Sequence, residues 1–195
     1  MIKNGVFVMS KIDFEKYNNE YIEGFLTDRE HFNGVLFLLR EPNTDKQTEF
    51  WFKKSLKNDS SQRSFRLYRN KFNIYLEYLG GNYNLSECAY ANVRPLDGEN
   101  YKSDEFKKLN NQQMFERFQF ILDCCDSKVK YVFTCNDIFS AICEENKLQQ
   151  DEIKESIIQY RKSNVRKRYI EFNGVIVFEI YHPSCTKYPK RVNEI

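Results

Sequence analysis

The sequence has no apolar run long enough to cross a membrane, and it opens without the long apolar core of a signal peptide. A transmembrane helix needs about 20 predominantly apolar residues, and no stretch of this chain approaches that length. Residues 1–11 lack the apolar segment that marks an exported protein. We therefore expect a cytoplasmic protein with no membrane partner.

The six cysteines lack the spacing of a metal site. No two of them form a C-x-x-C pair, and Cys124 and Cys125 are adjacent. This arrangement suits neither a structural zinc site nor an iron–sulfur cluster. Several cysteines lie in apolar runs, for example Cys135 after Val-Phe-Thr. The pattern predicts buried, reduced cysteines, and we expect neither a metal nor another cofactor.

The chain also lacks a strong excess of one charge. Its 30 basic and 28 acidic residues leave a net charge of +2, whereas a dedicated nucleic-acid coat protein would be far more basic. Transient contact with a polyanion stays open if basic residues cluster. No repeat, linker or low-complexity stretch divides the 195 residues, so we expect one domain spanning 1–195, present as a monomer.

Strand-like and helix-like segments alternate along the chain, which favours a mainly parallel sheet covered by helices. The run of apolar residues at 35–39 has the length and character of a strand buried on both faces. Residues 88–93 and 129–135 give two similar predictions. Helical spacing of apolar residues predicts helices over 13–29 and 64–79, from Ser103 through Ile121, and after a cap at Asn136-Asp137, with another indicated at 151–162.

Near the end of the chain, Asn173-Gly174 separates two strand-like segments at 168–172 and 175–181. This dipeptide is the favoured pair for a two-residue hairpin turn. Together these elements predict an α/β fold of three layers, α/β/α, around a central, mainly parallel sheet of four to five strands.

Unusual polar residues follow three of the predicted strands. Arg40-Glu41-Pro42 comes after the first strand, Asn92 ends the second, and His182-Pro183-Ser184 follows the last. Ligands of open α/β sheets bind where the carboxyl ends of the strands converge. A carboxylate there can orient water, a histidine can donate to a developing oxyanion, and an asparagine can read a base or amide edge. This set of groups describes hydrolysis of an N-glycosidic bond.

Four motifs occur in an order that resembles the uracil-DNA glycosylase superfamily. They are Leu-Leu-Arg-Glu41-Pro42, Ala-Tyr-Ala-Asn92-Val-Arg-Pro, the strand–helix unit that begins at Val132, and Phe178-Glu-Ile-Tyr-His182-Pro-Ser. The similarity spans residues 34–184, and its most specific part is His-Pro-Ser after an apolar strand. The resemblance implies the fold of that family and a DNA-repair enzyme that excises uracil or a related damaged base.

The resemblance also implies roles for individual residues. Glu41 matches the position of the catalytic aspartate, and His182 that of the histidine that stabilises the departing base anion. Asn92 would read the edge of an extruded base, with Pro42, Phe50 and Trp51 as further base-binding candidates. The DNA-contacting candidates are Ser184, Arg94, Lys187, Lys190 and Arg191. The other basic groups, at 161–162 and 166–168, are expected to form a solvated face.

Two alternatives stay open on the sequence. Arg40 beside Glu41, and Cys185 where the family commonly has proline, favour a non-catalytic module that binds nucleic acid or a nucleotide on the same fold. An enzyme acting on free nucleosides or nucleotides would not need the basic residues near the end of the chain.

Overall fold

A computed structural model describes residues 31–39, 63–81, 83–93, 109–125, 128–160 and 163–181. The described residues form six strands, β1 (Val35–Leu39), β2 (Ala89–Asn92), β3 (Tyr131–Cys135), β4 (Lys154–Tyr160), β5 (Ser163–Phe172) and β6 (Val175–Ile180). They also form three α-helices, α1 (Arg63–Tyr78), α2 (Asn111–Cys124) and α3 (Asn136–Glu145), and a 3-10 turn at Leu85–Glu87. The predicted helix over 13–29 lies outside the described residues.

The six strands form one mixed sheet in the order β2-β1-β3-β6-β5-β4. The first four strands are parallel to one another, and β5 and β4 continue the sheet in antiparallel orientation. The α/β class is confirmed, but the expected count of four to five strands is wrong. The additional strand comes from residues 151–162, where a helix was expected and β4 pairs instead with β5.

Tertiary pairing explains why β4 is a strand. The Lys, Glu and Gln residues of this segment suit a helix locally, yet its centre is Ser-Ile-Ile, and isoleucine favours a pleated sheet. Seven consecutive residue pairs join β4 to β5, from Lys154↔Tyr169 to Tyr160↔Ser163. The hydroxyl groups of Ser156 and Tyr78 also form a hydrogen bond that ties β4 to α1.

Aromatic side chains cover both faces of the sheet. On one face, Phe72 of α1 packs against Phe37 with ring centroids 4.2 Å apart, and Tyr75 stacks on Phe133 at 5.3 Å. On the other face, Phe118 of α2 lies 5.5 Å from Phe172. Every residue of β1 is buried, as its uninterrupted apolar run predicts. Among the described residues the sheet therefore lies between α1 on one side and α2 with α3 on the other.

The beginnings of two helices differ from the prediction. Ser103 lies outside the described residues, but Leu109 and Asn110 are not helical, so a continuous helix from 103 to 121 is wrong. Instead, the Asn110 side chain accepts a hydrogen bond from the backbone N–H of Gln113 at 2.8 Å. The Gln113 side chain in turn accepts one from the backbone N–H of Asn110 at 3.0 Å. This reciprocal capping box satisfies two amides at the start of the helix, and α2 begins at Asn111.

In α3 the N-cap residue is Cys135, and no side chain caps the helix. The expected cap at Asn136-Asp137 is therefore wrong. The Asn136 amide donates instead to Glu179 on β6, so it joins a helix to a strand end.

Two local predictions are confirmed. Asn173 and Gly174 have φ angles of 49° and 77°, the left-handed values that a type I′ turn requires, and they join β5 to β6. The five described cysteines are free and buried. Within the described ranges, no helix is long and apolar enough to span a lipid bilayer.

Candidate functional site at the carboxyl edge of the sheet

The carboxyl ends of the parallel strands lie at one edge of the sheet. Leu39 of β1 is level with Asn92 of β2, and Cys135 of β3 is level with Ile180 of β6. In the sheet β1 lies between β2 and β3. The chain therefore forms β2 on one side of β1 and later crosses back to form β3 on the other side. This reversal is the topological switch point at which open α/β sheets form a ligand crevice.

The structure describes the strands that lead into the predicted site residues, but only one of those residues. Leu39, Val93 and Tyr181 are the last described residues before the motifs, and the chain β3–α3 confirms the strand–helix unit that begins at Val132. The predicted residues that lie outside the described ranges are Glu41, Pro42, Phe50, Trp51, Arg94, His182, Ser184, Lys187, Lys190 and Arg191. Their roles stay predictions.

Asn92 is buried at the end of β2. Its side-chain oxygen accepts a hydrogen bond of 3.1 Å from the Tyr90 hydroxyl. Tyr90 and Asn92 are two residues apart on β2 and therefore lie on the same face of the sheet. This is the face that α1 covers, and the contact fixes the asparagine side chain there. The structure thus places Asn92 at the expected edge, and its role in reading a base stays a prediction.

A polar cluster that sequence reasoning missed lies at the same edge, beside the end of β6. Arg168 of β5 donates from Nε and Nη2 to the two oxygens of the Glu179 carboxylate, at 2.9 Å and 3.0 Å. Asn136, at the start of α3, donates to the same carboxylate. The Arg168 guanidinium also lies 5.2 Å from the centroid of the Phe139 ring. One carboxylate therefore ties β6 to both β5 and α3.

The environment of Glu179 decides its protonation state. Burial raises the pKa of its carboxyl, but the hydrogen bonds from Arg168 and Asn136 and the positive charges of Arg168 and Lys167 together hold the pKa below its ordinary value. The hydrogen bond to Glu179 raises the pKa of Arg168 in return. A carboxylate that accepts three bonds and stays ionised is a poor proton acceptor. Its function is to fix the end of β6, three residues before His182.

The sequence did contain a signal for part of this cluster. The Asn173-Gly174 turn pairs residues at equal distances from it, as Phe172↔Val175 and Glu171↔Ile176 show. Extending this register brings Arg168 opposite Glu179, and opposite charges facing each other on a strand pair stabilise it. Asn136 carried no such signal, because its contact depends on where α3 begins.

The residue of β5 that precedes Arg168 contacts the chain just beyond β6. Lys167 is buried, and its ammonium nitrogen lies 3.3 Å from the centroid of the Tyr181 ring. Successive residues of a strand point to opposite faces, so Lys167 and Arg168 hold the end of β6 from both sides. Tyr181 directly precedes His182, and the two basic residues thereby fix the point at which the chain enters the His-Pro-Ser motif.

Two buried thiols of the described residues do not suit nucleophilic catalysis. Burial raises the pKa of the Cys88 thiol to about 12, although a hydrogen bond from Asn33 acts in the opposite direction. Burial also raises the pKa of Cys125, so neither thiol is a ready nucleophile. The described part of the chain contains no group of three or more His, Cys, Asp or Glu residues placed to hold a metal ion.

Comparisons with protein-family models, with curated proteins and with solved structures find no match to this chain. The resemblance to uracil-DNA glycosylases therefore depends on the four sequence motifs alone. What the structure adds is the arrangement of the strands that carry them.

Proposed function

We propose that this protein is a DNA glycosylase that hydrolyses the N-glycosidic bond of uracil or a related damaged base. The observation that carries the proposal is the shared edge of β1, β2 and β6. In the sequence, β1 leads into Glu41-Pro42, β2 ends in Asn92, and β6 leads into His182-Pro183-Ser184. Three motifs that are far apart along the chain thus follow strand ends on one side of one sheet.

The spacing of the strands suits a nucleoside. β1 and β2 are neighbours, and only β3 separates β1 from β6. Neighbouring strands lie about 4.8 Å apart, so the ends of β1 and β6 are separated by roughly 10 Å. A sugar with its base bridges a gap of that size, with the sugar near the β1 end and the base toward the β6 end.

The proposed mechanism divides the work between these two ends. Glu41 orients a water molecule toward the anomeric carbon and stabilises the positive charge that develops on the sugar. His182 donates a hydrogen bond to the base oxygen on which negative charge develops as the bond breaks. Asn92 reads the base edge, while Phe50, Trp51 and Pro42 enclose the extruded base. The contacts of Glu179 with Arg168 and Asn136 hold the strand that leads into His182.

The test is alkali-induced strand cleavage of labelled oligonucleotides that carry one uracil, in single- and double-stranded form. We expect wild type to nick both or one of these substrates and to leave uracil-free DNA intact. Glu41→Ala and His182→Ala should each lower the rate at least ~100-fold, because each removes a group that acts on the transition state.

Matched controls come from the opposite edge of the sheet. Glu171 lies opposite Ile176, near the beginning of β6, and His31 precedes β1; both are exposed. Glu171→Ala and His31→Ala should keep the wild-type rate. If folded wild-type protein binds these oligonucleotides but excises neither uracil nor other damaged bases, the glycosylase proposal is wrong and a binding module replaces it.

A further inference from the structure

Five aromatic residues lie level with one another across the face of the sheet that α1 covers. The strand registers bring them into one row, which reads in order Tyr90, Phe37, Phe133, Phe178 and Tyr169. The central rings stack, with centroids 5.3 Å apart for Phe37 and Phe133 and 5.1 Å apart for Phe133 and Phe178. The three middle positions are phenylalanine, so a ring without a hydroxyl satisfies the packing here. We call these five residues the aromatic row.

The hydroxyl of Tyr90 contacts the candidate site. Tyr90 and Asn92 are both buried, and the Tyr90 hydroxyl donates a hydrogen bond of 3.1 Å to the side-chain oxygen of Asn92. Phenylalanine at position 90 would keep the ring of the aromatic row, but it would leave the Asn92 oxygen without this donor. A buried amide that loses a hydrogen bond is destabilised. The contact that tyrosine adds at this position is therefore the one to Asn92.

This bond determines the orientation of the Asn92 amide. The oxygen and nitrogen branches of an asparagine side chain have nearly the same shape, and they exchange places by a half turn about the last side-chain bond. Because the Tyr90 hydroxyl donates, it holds the oxygen branch, and the nitrogen branch is the one directed away from Tyr90. Tyr90 precedes Asn92 on β2, so the carboxyl edge of the sheet lies on the side of Asn92 away from Tyr90.

We infer that Tyr90 is the positioning residue for Asn92, and that the positioned amide presents its nitrogen, a hydrogen-bond donor, to a base at the carboxyl edge. An amide nitrogen carries two hydrogens, so it can donate to a base and to a second partner at the same time. A donor selects an acceptor, and uracil has an exocyclic oxygen where cytosine has an amino group. The inference rests on the proposed function for the presence of a base. It adds the residue that sets the preference for a base with a carbonyl oxygen.

The test measures the affinities of free uracil and free cytosine for the full-length protein by titration calorimetry. Wild type should prefer uracil at least ~10-fold, because cytosine places its amino group against a donor and one hydrogen bond is lost. Tyr90→Phe should lower the affinity for uracil ~3- to 10-fold and leave the affinity for cytosine unchanged or raise it, since the amide is then free to turn its oxygen toward the amino group. A merely structural defect would weaken both bases by the same factor.

A double-variant cycle shows whether Tyr90 acts through Asn92. Asn92→Leu has a side chain of similar volume with no polar atoms, and it should lose the preference between the two bases. In this background Tyr90→Phe should change neither affinity by more than ~2-fold. Thermal melts followed by circular dichroism establish that each variant is folded before it is titrated.

The matched control is the tyrosine at the other end of the aromatic row. Tyr169 lies on β5, four strands from β2, which places it about 19 Å from Tyr90. Tyr169→Phe removes a hydroxyl from the same row and should keep the wild-type preference for uracil. An unchanged preference in Tyr90→Phe would overturn the inference. So would an equal loss for both bases, or the same change in Tyr169→Phe.

Because free bases bind without being excised, failure of the two proposals can be told apart. A preference for uracil that depends on Tyr90, without excision from any oligonucleotide, supports the positioning by Tyr90 and refutes the glycosylase. Excision of uracil by wild type, with an unchanged preference and unchanged kcat/KM in Tyr90→Phe, supports the glycosylase and refutes the positioning. Absence of both binding and excision refutes both.

Discussion

Replacing Arg168 with methionine leaves the Glu179 carboxylate at the end of β6 without its main partner. Methionine keeps most of the volume that packs near Phe139, so the change acts chiefly on charge. The two lost bonds measure 2.9 Å and 3.0 Å, and hydrogen bonds to charged groups contribute about 1.5–3 kcal/mol. Arg168 is 39% exposed and Glu179 15%, and solvent screening of the arginine moves the expected loss to the lower end, about 1.5–2 kcal/mol.

The pH dependence of this loss has a definite sign. Burial raises the pKa of Glu179, but its hydrogen bonds and the neighbouring positive charges hold the folded-state pKa below the ordinary value. The carboxylate therefore adds stability that is complete above the unfolded pKa and is lost as pH falls through the folded pKa. In Arg168→Met, burial still raises the pKa of Glu179, but fewer hydrogen bonds lower it. The folded-state pKa of Glu179 should therefore be higher in the variant than in wild type. The difference in unfolding free energy between wild type and Arg168→Met should accordingly be large at neutral pH and shrink toward pH ~4.

Urea unfolding followed by circular dichroism at neutral and acid pH measures this difference. Arg166→Met is the matched control, since Arg166 lies two residues away on the same strand with an exposed partner at 3.4 Å; its loss should stay within about 0.5 kcal/mol. The double variant Arg168→Met with Glu179→Gln should recover part of the loss, because it removes the unpaired carboxylate. A loss for Arg168→Met that equals the control, or that grows as pH falls, would refute this account of the cluster.

Two further predictions concern buried groups. Thr134 of β3 is fully buried and its hydroxyl has no hydrogen-bond partner among the described residues, so Thr134→Val should match or exceed wild-type stability by up to about 1 kcal/mol. A loss above that size in a thermal melt would reveal a partner such as a buried water. Cys88, whose pKa burial raises to about 12, and Cys125, whose pKa burial also raises, should resist iodoacetamide at pH ~8 until denaturant is added. Mass spectrometry of the alkylated peptides reads this out, and rapid labelling of either cysteine in the native protein would contradict its burial.

Local signals in the sequence predicted the parts of the fold that local chemistry determines. The uninterrupted apolar run of β1 indicated a strand covered on both faces, and the Asn173-Gly174 pair indicated the turn and the register beyond it. The prediction of a helix for the β4 segment was wrong because its strand conformation depends on pairing with β5, which outweighs a local preference for helix. The capping box of Asn110 and Gln113 was visible in the sequence, but Ser103 offered a competing start for the helix.

In the candidate site, too, the sequence predicted some features and not others. The carboxyl edge could be predicted because parallel strands end together, and Asn92 lies there as expected. The contact between Lys167 and Tyr181 could not, since it depends on how two strands end relative to each other. The bond from Asn136 to Glu179 likewise requires β3 and β6 to be neighbours, although Asn136 and Glu179 are 43 positions apart along the chain.

The topology of the sheet has a consequence for the order of folding. β4, β5 and β6 follow one another between Lys154 and Ile180 and pair through short connections, whereas Val35 of β1 must find Tyr131 of β3 across about half of the chain. Closing a long loop costs more entropy than closing a hairpin. We therefore expect the three-stranded meander to form first and to present the free side of β6 as the template on which β3, and then β1 and β2, assemble.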